Sequence, residues 1–81
     1  MSIRVLYFAA LAEQVGCRSE ELDREAATAG ELVDALRSRG EPWSSAFGHH
    51  IRIAINQQLA EEGDAIRDGD EVAFFPPVTG G

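Results

Sequence analysis

The sequence predicts an α+β domain in which a main helix packs on one face of a mixed sheet. Three observations carry that expectation: an opening stretch of β-branched and aromatic residues, one well-capped amphipathic helix near the middle, and a last apolar run that stops at two adjacent prolines. At 81 residues the chain is one domain, since two halves would each be too small to bury a core without metals or disulfides. An apolar fraction of 44% with 26% charged residues is that of an ordinary globule and allows a modest core.

Residues 3–8 (IRVLYF) read as the first strand, with Ile3, Val5 and Tyr7 on one face and Arg4, Leu6 and Phe8 on the other. Residues 9–15 are alanine-rich and end at Gly16, which lacks a Cβ and so suits the left-handed cap of a short helix. A second strand is expected within residues 19–24, on weaker local grounds because the segment is charged. Thr28 followed three residues later by Glu31 forms a capping box, in which hydroxyl and carboxylate satisfy opposed backbone donors. A helix over residues 29–39 follows, with Leu32, Val33 and Leu36 on an inward stripe and Arg37 and Arg39 at the negative end of its dipole.

Pro42 and Trp43 open a short irregular or helical piece, with Trp43 and Phe47 expected as lids over the core. Residues 50–55 alternate so that Ile51, Ile53 and Ile55 share a buried face, and Asn56-Gln57 supplies turn chemistry before a brief strand at 58–60. Asp68-Gly69-Asp70 is a turn in which glycine takes a positive φ, and residues 71–75 form the last strand, with Phe75 opposite Val72 and Phe74. Pro76 and Pro77 cannot donate ladder hydrogen bonds and stiffen the exit. A domain over residues 1–75 is therefore expected to give way to an extended tail over 76–81, ending Val78-Thr79-Gly80-Gly81. This order of elements fits the β-grasp, or ubiquitin-like, roll, which by itself assigns no function.

Fourteen acidic residues against seven basic ones give a formal charge of −7. That balance opposes nucleic-acid phosphates and anionic membranes and favours a basic protein partner. No segment approaches the roughly 20 apolar residues needed to cross a bilayer. The apolar start is too short for a secretory leader, and cleavage after Ala12 would remove the first strand. Cys17 is the only cysteine, which excludes an intramolecular disulfide and a cysteine-rich zinc site and fits a reducing cytoplasm. His49 and His50 lack a third ligand at metal spacing; Asp64, Asp68 and Asp70 lack the distal glutamate of a calcium loop; and Glu61 and Glu62 read as a solvated face. No cofactor or metal site is expected.

The chemistry is expected at the terminal glycines. A diglycine end threads a narrow channel and presents an unhindered carboxylate to another enzyme. ATP-dependent adenylation of the Gly81 carboxylate would give a mixed anhydride, from which a sulfur nucleophile displaces AMP and leaves a thiocarboxylate. No side chain of this chain needs to act, because the partner enzymes supply the catalytic groups and use the ATP. The bland alternative is a frayed end without a role.

The run Asp68-Gly69-Asp70-Glu71-Val72-Ala73-Phe74-Phe75-Pro76-Pro77-Val78-Thr79-Gly80-Gly81 resembles the C-terminal signature of the molybdopterin synthase small subunits. Phe8-Ala9-Ala10-Leu11 with Gly16 soon after, and Ala54-Ile55-Asn56-Gln57, extend the resemblance over nearly the whole chain. One departure is Ala12, where many relatives carry an arginine before Glu13; an ion pair to the large subunit that the resemblance would imply for that arginine does not carry over to Ala12. The resemblance implies a sulfur carrier, not itself an enzyme. Such a carrier is adenylated by a ubiquitin-activating-like enzyme, receives sulfur at Gly81, and donates it to cyclic pyranopterin monophosphate inside the large subunit.

The strand faces point to a docking surface independently. One helix layer covers one side of a sheet, yet Leu6, Phe8 and Phe75 fall on the other side; Phe8, Leu59 and Phe75 are expected to form an apolar patch at the base of the tail. Two kinds of rival remain. One is a carrier for thiazole synthesis or tRNA thiolation; the other is a ubiquitin-like binding module whose tail is inert or becomes attached to lysines.

Overall fold

The computed structural model describes residues 2–48 and 50–76. Its elements, in chain order, are β1 (Ser2–Tyr7), α1 (Ala9–Val15), β2 (Ser19–Asp23), α2 (Ala29–Arg37), α3 (Trp43–Ala46), β3 (Arg52–Ile55), β4 (Gln58–Ala60) and β5 (Glu71–Phe75). The strands form one sheet in the order β2-β1-β5-β3-β4, parallel between β1 and β5 and antiparallel elsewhere. With α2 packed on one face this is the β-grasp arrangement.

Alternation in the central strands decides which residues meet the helix. Ile3, Val5 and Tyr7 of β1, Val72 and Phe74 of β5 and Ile53 of β3 point to one side and are buried. On that side they meet Ala29, Leu32, Val33 and Leu36, the apolar stripe of α2. Thr28 caps α2, its hydroxyl accepting from the Glu31 backbone N–H at 3.2 Å. The N–H groups of Ala29 and Gly30, left without partners inside the helix, donate to the carbonyls of Asp64 and Glu62. A Cβ on Gly30 would stand 3.2 Å from that Glu62 carbonyl oxygen, so the close crossing of loop and helix leaves little room for a side chain there.

Two turns set the strand registers. Asn56 and Gln57, at φ 50° and 70°, make the two-residue connection between β3 and β4, with both central residues left-handed as the twist of a tight hairpin favours. The Asn56 amide nitrogen donates to Asp70 Oδ1 at 3.0 Å, while its Oδ1 accepts from the Glu71 N–H at 3.0 Å. The hairpin is thereby tied to the turn that launches β5. These bonds, Asn56 first and then the Arg67 backbone N–H, hold the Asp70 carboxyl below its usual value.

Several expectations change in detail. The main helix stops at Arg37, two residues early, where the Ser38 hydroxyl donates to the Asp34 carbonyl at 2.7 Å; Arg39 is left free to reach β2. The third strand begins at Arg52, and Ile53 alone of the three isoleucines is fully buried, with Ile51 and Ile55 half-buried. Phe47 is not a lid. It is wholly buried, edge-on to Phe74 with centroids 5.3 Å apart and stacked under Trp43 at 6.2 Å, which leaves Trp43 as the outer ring. The charged segment at 19–23 is a strand because its backbone pairs with β1 from Ser2 to Leu6, a tertiary partner that outweighs local propensity. Replacing Phe47 with alanine should lower the unfolding free energy by about 3–5 kcal/mol in urea titrations, as expected for deleting an enclosed aromatic. A loss below about 1 kcal/mol would return Phe47 to the surface role.

Candidate functional site

The sheet face turned away from α2 has no covering layer among the described residues. Cross-strand partners project to the same side. The registers therefore align Leu6, Ala73, Ala54 and Leu59 in one row from β1 to β4. The next row toward the exit of β5 holds Phe8, Phe75 and Arg52; Arg52 is paired with Phe75, and the Phe8 N–H donates to the Phe74 carbonyl at 3.1 Å. Below the apolar rows, Arg4 faces Glu21 on β2 and Glu71 on β5, and its guanidinium lies 3.5 Å from the Glu21 carboxylate. The face is thus apolar at the end where β5 terminates and polar at the other.

Of the three residues expected in the patch, Phe8 and Phe75 meet directly, with ring centroids 6.3 Å apart at 82°. Phe8 is 47% exposed and Leu59 73% exposed, an unusual outlay of large apolar surface for so small a domain. Leu59 does not touch the aromatic pair: β4 is two strands from β5, a separation of roughly 10 Å at standard strand spacing. It shares their face across Ala54 and Ala73, whose small side chains leave a shallow floor between the edge leucine and the rings. Strand alternation in the sequence places Leu6 on this face; Ala54 and Ala73 escape that reading, although both occupy the alternate positions of strands whose other residues face the core.

The backbone at Ala9 aims Phe8. Ala9 adopts φ 53°, a left-handed conformation that costs an alanine about 1–2 kcal/mol and turns the chain sharply into α1. Ala12 lines a groove with Leu6, Phe8, Cys17 and Arg18 between the end of β1, α1 and the turn after it. Cys17 donates its thiol to the Ser19 carbonyl at 3.2 Å. His50 is exposed, and no cluster of metal-ligating side chains occurs among the described residues; His49 lies outside them. No helix of the described residues is long and apolar enough to cross a membrane. Pro76 is half-buried and has left the ladder, while Pro77, Val78, Thr79, Gly80 and Gly81 lie outside the described residues.

Beneath the end of β1, a polar cluster fixes the sheet to the helical layer. The Tyr7 hydroxyl donates to Glu20 Oε2 at 2.9 Å, and Arg39 donates to both Glu20 oxygens at 3.0 and 2.9 Å. The Arg39 guanidinium also stacks 4.4 Å from the Trp43 ring centroid. The Arg39 hydrogen bonds hold the Glu20 carboxyl below its usual value despite partial burial, with Tyr7 adding in the same direction. Burial, and then the bond to Glu20, push the Tyr7 phenol well above its usual value, so it stays a neutral donor.

Comparison with known proteins adds sequence and fold relationships. Residues 5–81 match the ThiS family. The chain is 40% identical over 80 residues to the molybdopterin synthase sulfur carrier subunit of Haemophilus influenzae, covering 98% of this chain and 99% of that one. The crystal structure of SAMP1 from Haloferax volcanii superposes with a TM-score of 0.72 at 37% identity over the full length of both chains. A complex of subunits 1 and 2 of the molybdopterin-converting factor from Helicobacter pylori contains a chain that superposes with a TM-score of 0.71 at 27% identity, again over both full lengths.

Because folding lowers the Glu20 proton affinity, the stabilisation from its cluster is complete above the unfolded value near 4.5 and is lost as pH falls through the depressed folded value. Glu20→Gln should therefore cost about 1 kcal/mol at pH 7, a modest figure because the pair is partly screened by solvent. The difference from the unsubstituted chain should shrink toward zero in urea titrations below the carboxylate range. Equal differences at both pH values would remove the Glu20 charge from this role.

Proposed function

This chain belongs to the ThiS family, and from that premise we propose that it is the sulfur carrier subunit of molybdopterin synthase. The observation that carries the reading is spatial: the uncovered apolar face lies at the end of the sheet where β5 stops at Phe75 and the chain passes into Pro76. A partner that seats Phe8 and Phe75 therefore has residues 76–81 delivered beside it. The Haemophilus influenzae relative bears the name of such a carrier subunit, and the Helicobacter pylori neighbour comes from a two-subunit complex; both support the assignment.

In this reading Gly81 is the reacting residue. An adenylyltransferase of the ubiquitin-activating kind joins its carboxylate to AMP and releases pyrophosphate. A sulfur nucleophile presented by that partner then attacks the carbonyl carbon; the new C–S bond replaces the bond to AMP and leaves a thiocarboxylate. Gly80, Thr79, Val78, Pro77 and Pro76 form the strip that carries this group into the large subunit, where sulfur passes to cyclic pyranopterin monophosphate. The carrier needs no catalytic side chain, cofactor or metal, and ATP is consumed by the activating partner. Glycine at the last two positions leaves the strip narrow enough for both active sites. Phe8, Phe75 and Leu59 supply the docking contact, with Ala12 leaving a shallow groove beside it. The setting that fits this work is the cytoplasm.

Incubation with the activating enzyme, ATP and a sulfur donor should exchange one oxygen for sulfur at Gly81 in the intact mass. The thiocarboxylated chain mixed with large subunit and pterin precursor should then form molybdopterin. Deleting Gly81 should abolish both while leaving the circular dichroism spectrum unchanged, and full activity without that residue would defeat the assignment. Phe8→Ala should weaken large-subunit binding about 10- to 30-fold in calorimetric titration, the scale of a central aromatic anchor. Undiminished affinity would place the interface elsewhere.

A further inference from the structure

Left-handed backbone is served by glycine at three turns of this chain. Gly16, Gly40 and Gly69 adopt φ 71°, 86° and 86°, and a Cβ added at any of them would meet nothing within 4 Å. Space does not demand glycine there, so its role is backbone freedom alone. Among the described residues, positive φ occurs without glycine at Ala9, Asn56 and Gln57. Asn56 and Gln57 are the paired left-handed residues of the hairpin turn, and the Asn56 amide ties that turn to Asp70 and Glu71. Ala9, at φ 53°, has neither compensation. It is exposed, its side chain carries no polar atom, and glycine would take the same conformation without strain.

Ala9 is the joint between the uncovered face and the helical layer. On one side of it the Phe8 N–H is tied to the Phe74 carbonyl at 3.1 Å, and the Phe8 ring meets Phe75 edge-on. On the other side Leu11 anchors α1 in the core. Hydrogen bonding across the joint is weak, since the Ala12 N–H reaches the Phe8 carbonyl only at 3.4 Å and no side chain caps the helix start. The torsion at Ala9 is therefore what sets Phe8 against the helix. An alanine at positive φ is confined to one small well, at roughly +50° to +70°, whereas glycine also enters the extended regions of positive φ.

We infer that Ala9 is a positioning residue: its strained left-handed torsion holds Phe8 ready for the partner, at the expense of the stability of the free domain. This rests on the carrier reading above, with Phe8 as a docking contact, and adds to it what pre-organises that contact. Strained backbone persists only where the surroundings impose it, and it collects at sites that must be held in one arrangement. A ring already held in place loses less conformational freedom on docking, so more of the contact energy appears as affinity. Glycine at position 9 would relieve the torsion and loosen the ring together. Stability and affinity should then move in opposite directions, a signature that an alanine with a purely structural role does not give.

The test pairs thermal midpoints with calorimetric titration of the large subunit, for the unsubstituted chain, Ala9→Gly, Ala10→Gly and a synthetic chain with D-alanine at position 9. Ala9→Gly should raise the midpoint by about 2–6 °C, because relief of the torsion outweighs the added freedom of the unfolded chain. The same variant should bind about three- to tenfold more weakly. Ala10 is the exposed neighbour in α1 and lies outside the positive-φ set. Ala10→Gly should lower the midpoint by about 2–6 °C and change affinity less than about twofold. D-alanine, for which positive φ is the relaxed state, should raise the midpoint and bind at least as tightly as the unsubstituted chain. Undiminished affinity of Ala9→Gly, a midpoint lowered as in Ala10→Gly, or weakened binding by the D-alanine chain would each overturn the inference and leave the carrier reading in place. Failure of the unsubstituted chain to bind the large subunit would overturn that reading, and the inference with it.

Discussion

The parallel ladder between β1 and β5 joins the first strand of the chain to the last, pairing Arg4 with Glu71 through Tyr7 with Phe74. Closing so long a loop costs entropy before any contact returns it, and the return here comes from the core: Val5 and Tyr7 meet Val72 and Phe74 over the helix. On the opposite side the same ladder brings Phe8 against Phe75. Core and proposed docking face are therefore two sides of a single pairing. A slip of one residue would exchange them, burying Leu6 and Phe8 and exposing Val5 and Tyr7.

The domain has too little chain to cover both sides of a five-stranded sheet. Its main helix, Ala29–Arg37, buries one face, while α1 and α3 pack at the end near Leu11 and Phe47. What remains is a face whose apolar half lies where the chain exits and whose polar half holds Arg4, Glu21 and Glu71. In the proposed docking role this asymmetry is useful, because the apolar half of the face lies where β5 ends and the chain passes into Pro76. The Tyr7–Glu20–Arg39 cluster serves that aim indirectly by holding the edge strand β2 and the end of β1 to the helical layer beneath Phe8.

The features legible from residues alone were those governed by neighbours in sequence. Thr28 and Glu31 announced the helix start, and the hydroxyl cap forms. Gly16 and Gly69 announced left-handed turns, found at φ 71° and 86°. The alternation of residues 3–8 separated Tyr7 from Phe8. Leu59 was expected beside the rings and instead sits two strands away on the same face, because its distance depends on sheet order and not on periodicity. Phe47 was expected as a lid over the core and is wholly buried within it, since nothing in an irregular segment says how deeply its side chains will pack.

Local chemistry in the sequence therefore determined the kinds of element, their turns and caps, and the two-sided character of the central strands, because each depends on backbone preference or on side-chain spacing over a few residues. Only tertiary structure decided that β5 enters between β1 and β3, that Ala54 and Ala73 floor the space between Leu59 and the rings, and that Arg52 stands in register with Phe75. Those relations join residues tens of positions apart. They are set by burying the most apolar surface under one helix, a quantity belonging to the whole fold and to no segment of it.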